Sequence, residues 1–492
     1  MELKAEDRHF FAAIAELIFS NPFDDLREQI VALVPGAPRA TGSMSNHPFS
    51  VVVPAVEERL KKLEADGIAA TADVAVRDRE NFGYVLLFRT YHHYADRFDA
   101  LIAEQLARGD EPVAVAFADA LLGDLRACGF NNDDAVRYLG LFYQLRRAYY
   151  FIADSLLGDS PAMGRLRHAL WNNVFTSDVR IYEKHLWNRM EDFSTLMLGE
   201  TGTGKTSAAA AIGRSGLISY DRKRGCFAAS FASTFVAANL SQYPESIIES
   251  ELFGHRKGAF TGAIDNHQGL FERLSNYGAL FLDDIGEVSV PIQIKLLTVL
   301  QERRFSPVGS YEQLRFDGRV IAATNRSLAE LRESSAFRDD FLYRLCSDVI
   351  EVPPLRQRLR EHPPELEQLV SLLLTRATGK KAPDLIDRVV GALYSSVASD
   401  YPWPGNVREL EQAVRRILLN GHYEGVSARD EIDEQDTLAA SLLDAGMTAT
   451  ELISRYCRLL YAQLGSYEQV ARHLELDRRT VKKYIEHDAG KK

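Results

Sequence analysis

The sequence predicts a multidomain chain: a mostly α-helical N-terminal domain, an α/β domain with a parallel sheet followed by a helical segment, and a small all-α unit at the end. Three observations lead there. Up to about residue 152, apolar residues recur at helical spacing. From about 155, short β-rich runs alternate with helices, as in "STLMLGETGTGK", "GALFLDDIGE" and "GRVIAATNRS", and such alternation implies parallel strands. Beyond a polar, acidic linker, "YEGVSARDEIDEQD", two short helical stretches close the chain.

The N-terminal elements follow from local signals. "DRHFFAAIAELIFSN" has helical apolar spacing and stops before Pro22. Pro54 opens "PAVEERLKKLEADG" and Gly67 closes it, the usual asymmetry of helix ends. "ENFGYVLLFRTYHHYADRFDALIAEQLARG" and "DDAVRYLGLFYQLRRAYYFIADSLLG" read as longer amphipathic helices whose aromatics belong to a core. Adjacent His92 and His93 diverge by about 100° on a helix and make a poor metal pair.

Composition excludes several classes. The 492 residues are 46% hydrophobic and 26% charged, as in soluble globular proteins. No apolar run approaches the roughly 18–20 residues of a membrane span. The first residues lack the basic segment and apolar core of a signal peptide. Cys128, Cys226, Cys346 and Cys457 form no CxxC pair, which fits a reducing cytoplasm without a disulfide framework or zinc site. A net charge of −11 argues against a wholly nucleic-acid-coating protein but leaves room for one DNA-binding module.

"GETGTGKT", Gly199 to Thr206, fits the P-loop pattern between a strand and a helix. Gly199, Glu200, Thr201, Gly202, Thr203 and Gly204 would turn backbone N–H groups onto phosphate oxygens at a helix N-terminus. Lys205 would reach the β- and γ-phosphates, and the Thr206 hydroxyl would ligate Mg²⁺. The strand "ALFL" ends in Asp283 and Asp284; one carboxylate can orient Mg²⁺ and the next can position a water.

These motifs stand in a longer series: "LLGDSPAM", "IIESELFGHRKGAFTGA", "IQIKLLTVLQERRFSPVGS", "VIAATNRSL", "FRDDFLYRL", "VPPLRQR" and "YPWPGNVREL". Over about 155–422 the chain resembles the AAA+ domain of bacterial sigma-54-dependent transcription activators, in which the GAFTGA hexapeptide is close to diagnostic. The resemblance implies residue roles. Asp283 would be the Mg²⁺-orienting acid. Asp284 stands where the family usually has glutamate; being one methylene shorter, it either slows hydrolysis or reaches its water through a bridging one. Asn325 would be the polar sensor near the γ-phosphate, and Asn239 the asparagine that holds the catalytic acid off-line. Arg338 and Arg344 would be supplied in trans to a neighbouring subunit's nucleotide, and Arg408 would be the lid arginine that reads nucleotide state. The segments "GRLRHALWNNVFTSDVRIYEKHLWNRMEDFS" and "YDRKRGCFAASFASTFVAANLS" exceed the family's usual lengths, and Thr206 replaces its more frequent glutamate.

The resemblance also implies that the glycine-flanked Gly258-Ala259-Phe260-Thr261-Gly262-Ala263 contacts sigma-54. Its glycines can hinge, and an exposed aromatic on a mobile loop is costly unless it serves recognition. At the C-terminus, "GSYEQVARHLELDRRTVKKYIEH" reads as helix–turn–helix with Asp477 as cap. It resembles the Fis-type DNA-binding domain. Arg478, Arg479 and Thr480 would face bases, and Lys482 and Lys483 phosphates. From Ser466 to Lys492 seven Lys or Arg oppose five Asp or Glu.

The expected layout is a regulatory domain at 1–152, an AAA+ core at 153–354, its helical lid at 355–422, a linker at 423–440 and the DNA-binding domain at 441–492. The expected activity is ATP hydrolysis with Mg²⁺, in a homo-oligomeric ring that is a hexamer in the family. The ring would bind upstream, enhancer-like double-stranded DNA and remodel the sigma-54 RNA polymerase closed complex into an open one, in the bacterial cytoplasm at the nucleoid. A DNA-binding regulator with weak or no hydrolysis, and a protein-remodelling AAA+ chaperone, are the alternatives. Residues 1–152 show no recognisable receiver or sensor, so phosphorylation, a small ligand and a partner protein all stay open as the signal.

Overall fold

The computed structural model describes residues 1–24, 52–334, 336–398, 400–423, 453–454, 456–458, 460–461 and 466–486. The chain divides into two compact units, Met1–Gly391 with Ser399–Leu419, and Ala392–Ala398 with Asn420–Lys492. Most of the linker expected at 423–440, and the start of the unit expected at 441–492, lie outside the described residues.

The N-terminal region is helical, as its periodicity requires. Helix α1 (Ala5–Phe19) ends where the Ser20 N–H bonds the Glu16 carbonyl, ahead of Pro22. Helix α2 (Val52–Ala65) begins two residues before Pro54, which therefore sits in its first turn. The single long helix expected after residue 79 is two, α3 (Arg79–His93) and α4 (Ala95–Arg108). They separate at Tyr94, whose buried ring packs on Phe117 and whose hydroxyl donates to Asp124 at 2.7 Å. Anchoring this tyrosine in the core overrides a local preference to continue the helix. Helix α5 spans Ala118–Ala127. Helix α6 (Asn132–Tyr149) starts at Asn131, whose side chain accepts from the Asp134 N–H, and runs into a π-helical turn at Tyr150–Asp154. Helix α7 (Pro161–Phe175) has Ser160 as cap and proline in its first turn.

Five strands follow: β1 (Thr195–Leu198), β2 (Phe235–Asn239), β3 (Ala279–Asp283), β4 (Arg319–Thr324) and β5 (Asp348–Glu351). They form one parallel sheet in the order β2-β3-β4-β1-β5. Helices cover both faces of the inner strands β1, β3 and β4, which is why these read as apolar runs rather than alternating ones. Leu196, Leu280, Leu282 and Val320 face helices α9 (Glu245–Phe253), α10 (Val290–Glu302) and α11 (Asp339–Leu345) in one buried cluster. Met197, Phe281, Ile321 and Ile350 point the other way, onto α8 (Lys205–Gly213).

That second cluster continues without interruption into the N-terminal helices, where Phe98, Leu139 and Phe142 belong to it. Buried contact therefore crosses residue 152. The segment that exceeds the family's length forms part of the joint. It holds a short antiparallel ribbon, Tyr220–Asp221 with Cys226–Phe227, and Phe227 stacks on Tyr143 of α6 at 4.0 Å. A separate apolar cluster ties α1, α2 and α3 together.

After β5 come α12 (Leu355–Glu361), α13 (Glu365–Thr378), α14 (Pro383–Ser396) and α15 (Asn406–Asn420), the expected helical segment. In the second unit, α16 (Tyr467–His473) and α17 (Arg478–Glu486) enclose Leu460, Val470, Ala471 and Val481. The turn between them passes through Glu475, whose backbone is left-handed at φ 53°.

Candidate functional site

The glycine-rich loop leaves the carboxyl end of β1 and enters α8, the place in a parallel sheet where ligands gather. Gly202 has φ 80°, and a Cβ there would lie 2.3 Å from the Gly405 carbonyl oxygen. No side chain fits. Gly202→Ala should therefore cost roughly 1–3 kcal/mol of strain and weaken nucleotide binding more than tenfold; calorimetric titration and thermal melting together check this.

Lys205 is buried, and its Nζ donates to the loop's own carbonyls, Gly199 at 2.7 Å and Glu200 at 3.0 Å. Burial lowers its ammonium below the usual lysine range, against the raising pull of Asp283 and Asp284. Burial raises the Asp283 carboxyl, and the Asp284 charge adds to it, while Lys205 opposes. A half-buried acid pair with one buried cation suits a site that takes both a divalent metal and an anion. Thr206 is exposed in the first turn of α8.

Asp284 adopts left-handed backbone at φ 58°, and its Oδ2 accepts from Asn239 Nδ2 at 2.9 Å and Ser241 Oγ at 3.1 Å. Strand register pairs Asn239 with Asp283, so adjacent strand ends bring the asparagine to the acids. Asn325 follows β4 and lines a cavity of about 620 Å³ with Gly199, Glu200, Val352 and Arg356.

The lid grips the loop. Asn406, wholly buried at φ 51°, donates to Glu200 Oε2 and the Thr201 carbonyl, both at 3.1 Å. The Val407 N–H bonds the Gly202 carbonyl at 3.1 Å, and Arg356 pairs with Glu200 at 2.7 Å. Arg408 is exposed beside Gly202, close enough to influence both Lys205 and Asp283. Sequence reading missed Arg356 and Asn406. Both stand in legible motifs, "VPPLRQR" and "WPGNVREL", but only folding shows that they converge on Glu200.

Lys205, Asp283, Asp284, Asn239, Asn325 and Arg408 thus gather at one sheet edge. Arg338 and Arg344 are bonded elsewhere: Arg338 pairs with Asp340 at 2.6 Å, and Arg344 Nη2 donates to the Leu300 carbonyl at 2.8 Å.

The loop 258–263 is closed by a Gly258 N–H bond to the Ala263 carbonyl at 2.9 Å. Gly258 and Gly262 hold φ 83° and 102° with open space around them, so backbone angle rather than crowding demands glycine. Ala259 packs over Gly309, while Phe260 is 46% exposed with its edge toward His255 at 4.9 Å. Thr261 is exposed beside it. In the second unit, Asp477 Oδ1 accepts from the Arg479 N–H at 2.8 Å, the expected cap. Arg478, Arg479, Lys482 and Lys483 are exposed, with Arg478 paired to Glu468 at 3.0 Å, and Thr480 is half-buried.

The family model of the Sigma-54 interaction domain matches residues 178–351, which include the P-loop, the acid pair and the exposed hexapeptide. Residues 178–351 are thus similar to sigma-54 interaction domains. The resemblance read from the sequence is borne out, and the relatives agree with it. Regulatory protein AtoC of Escherichia coli (strain K12) is 41% identical over 226 residues, 46% of this chain and 45% of that protein. The Nif-specific regulatory protein of Azotobacter vinelandii is 36% identical over 315 residues, 63% of this chain and 53% of that protein. The chain thus spans about half the length of these curated relatives. The crystal structure of NtrX from Brucella abortus in complex with ADP superposes with a TM-score of 0.40 at 20% identity, over 76% of this chain and 80% of that one. The matched residues contain all five strands of the parallel sheet. Among the described residues no helix is long and apolar enough to cross a membrane.

Proposed function

We propose that this protein is an ATP-hydrolysing, sigma-54-dependent transcription activator. The observation that carries the reading is Asp284 held by Asn239 beside buried Lys205, in the same domain as an exposed Phe260. The P-loop N–H groups and Lys205 would hold the phosphates, and Thr206 and Asp283 would hold Mg²⁺. When bound, Mg²⁺ would neutralise phosphate charge. Asp284 would orient the attacking water once released from Asn239, and Asn325 and Arg408 would sense the γ-phosphate. Arg338 and Arg344 would serve a neighbouring subunit of a homo-oligomeric ring, a hexamer by analogy with the family.

The sequence joins this site to the loop directly. From Asn239 the chain passes through α9 and reaches Gly254, four residues before the hexapeptide. A change at the Asn239–Asp284 bond can therefore move Phe260 and Thr261 relative to sigma-54. The work done would be opening of promoter DNA in the sigma-54 RNA polymerase closed complex, in the bacterial cytoplasm. The assay is promoter melting by sigma-54 holoenzyme. Melting should need this protein and hydrolysable ATP; melting supported equally by a non-hydrolysable analogue would reject the reading.

Arg478, Arg479, Thr480, Lys482 and Lys483 would bind upstream DNA through α17. Lys483→Ala should weaken binding to all sequences alike and lower the slope of log affinity against log salt by about 0.9 per lost phosphate contact. An unchanged slope in a salt titration would remove Lys483 from the interface.

A further inference from the structure

A cavity of about 420 Å³ lies in the N-terminal region, between α1, α3, α6 and α7. Its wall is largely apolar, with the aromatics Phe19, Tyr84, Phe88, Tyr91, Phe142 and Trp171 among the lining residues. It is walled by aromatics from four elements, so no single helix pattern could reveal it. The size falls within the range of pockets that enclose small molecules.

We infer that this cavity is the effector site of the protein, and that its ligand is a neutral aromatic molecule bearing one hydrogen-bond acceptor. Three facts define that chemistry. The walls offer ring faces and edges, which favour aromatic guests. The charged groups buried in the wall are already matched. Arg146 is paired with Asp99, and Glu183 accepts from Arg137 Nη1 at 2.6 Å and Tyr138 at 3.1 Å. Asp96 also lines the cavity but is exposed, where an ion pair contributes little, so a charged ligand would gain no strong counter-charge there. Finally, Trp171 is 6% exposed, and its indole N–H has no hydrogen-bond partner among the described residues. A buried donor left unpaired costs free energy that an acceptor on the ligand recovers.

Two helices of the cavity wall also touch the nucleotide-binding region. Helix α7 presents Trp171 to this cavity and Leu166 and Ala169 to the cavity beside Gly199 and Asn325. Helix α6 presents Phe142 and Leu145 to the aromatic cavity, and from neighbouring positions it caps the end of the P-loop helix. Gln144 Nε2 donates to the Ser215 carbonyl at 2.9 Å, while the wholly buried Arg147 donates to the carbonyls of Arg214 at 2.6 Å and Gly216 at 2.7 Å. A cation at a helix C-terminus is favourable, and here it fixes the far end of the helix that begins with Lys205. A ligand that shifts α6 or α7 changes the nucleotide site by the same coupling with which nucleotide changes ligand affinity.

This rests on the ATPase reading only for its consequence, and the experiment separates the two. Full-length protein is titrated with benzophenone, and with diphenylmethane as the same two rings without the acceptor, by calorimetry and thermal melting. Benzophenone should bind at least about tenfold more tightly than diphenylmethane, the worth of one recovered hydrogen bond. It should raise the melting temperature by a few degrees at saturation. Trp171→Phe should erase the preference. Leu87→Trp, which fills the cavity, should abolish binding while circular dichroism stays native. Benzophenone should change the affinity for a non-hydrolysable ATP analogue at least about fivefold. Lys205→Ala should still bind benzophenone, so a failed ATPase reading leaves this binding intact. No binding of either probe, binding retained in folded Leu87→Trp, or binding without an effect on nucleotide affinity each overturns the inference.

Discussion

Subunits carrying Arg338→Ala and subunits carrying Lys205→Ala, each inactive alone, should recover ATP turnover when mixed. Lys205 lies inside the phosphate loop, with its Nζ on the Gly199 and Glu200 carbonyls, so its loss removes binding in its own subunit. Arg338 is bonded to Asp340 on the surface of its own chain. That exposed pair contributes little to folding, which makes Arg338→Ala cleaner than Arg344→Ala, where a bond to Leu300 is lost as well. An arginine reaching a neighbour's nucleotide is worth ~10³–10⁵ in rate. In the mixture, some interfaces pair an intact Lys205 with an intact Arg338, and those should turn over at the normal rate. Wild-type turnover per subunit should also rise with concentration. A rate independent of concentration, with no recovery on mixing, would remove the shared site.

Phe260→Ala should abolish promoter opening and leave ATP turnover near normal. Phe260 is 46% exposed, with its ring set edge-to-face with His255 at 4.9 Å, so truncation costs the fold little. Its value would lie in burial against the partner, where an aromatic anchor contributes about 2–4 kcal/mol. Thr261→Ala, beside it, should behave alike. Open-complex formation and ATPase measured on one preparation decide the matter. A loop variant that still opens promoters would sink the assignment, and one that loses both activities would point to a structural role instead.

The shared core changes what removal of the N-terminal region would test. Cutting at residue 152 would strip Tyr143 from Phe227 and Arg147 from the end of the P-loop helix. Loss of activity in such a truncation would then reflect lost support as much as lost regulation. Single substitutions in the cavity wall avoid that ambiguity.

What the sequence determined by itself is local. The P-loop, the paired acids and the glycine-bounded hexapeptide were legible because each is a short run whose spacing dictates its backbone. Positive φ at Gly202, Gly258 and Gly262 is a property that a glycine at those positions announces. The cap at Asp477 and the stop before Pro22 are equally short-range. The parallel sheet was legible because short β-rich runs alternate with helices along the chain. Tertiary structure decided the rest. The break at Tyr94 depends on Asp124 and Phe117, and the grip on Glu200 depends on Asn406, some two hundred residues away. The fusion of the N-terminal helices with the sheet depends on Phe227 meeting Tyr143. A helical period records that one face of α6 is apolar; it carries no record of which distant surface that face will cover, because burial is non-directional and satisfied by any complementary partner. Which partner it met was settled only when the chain packed.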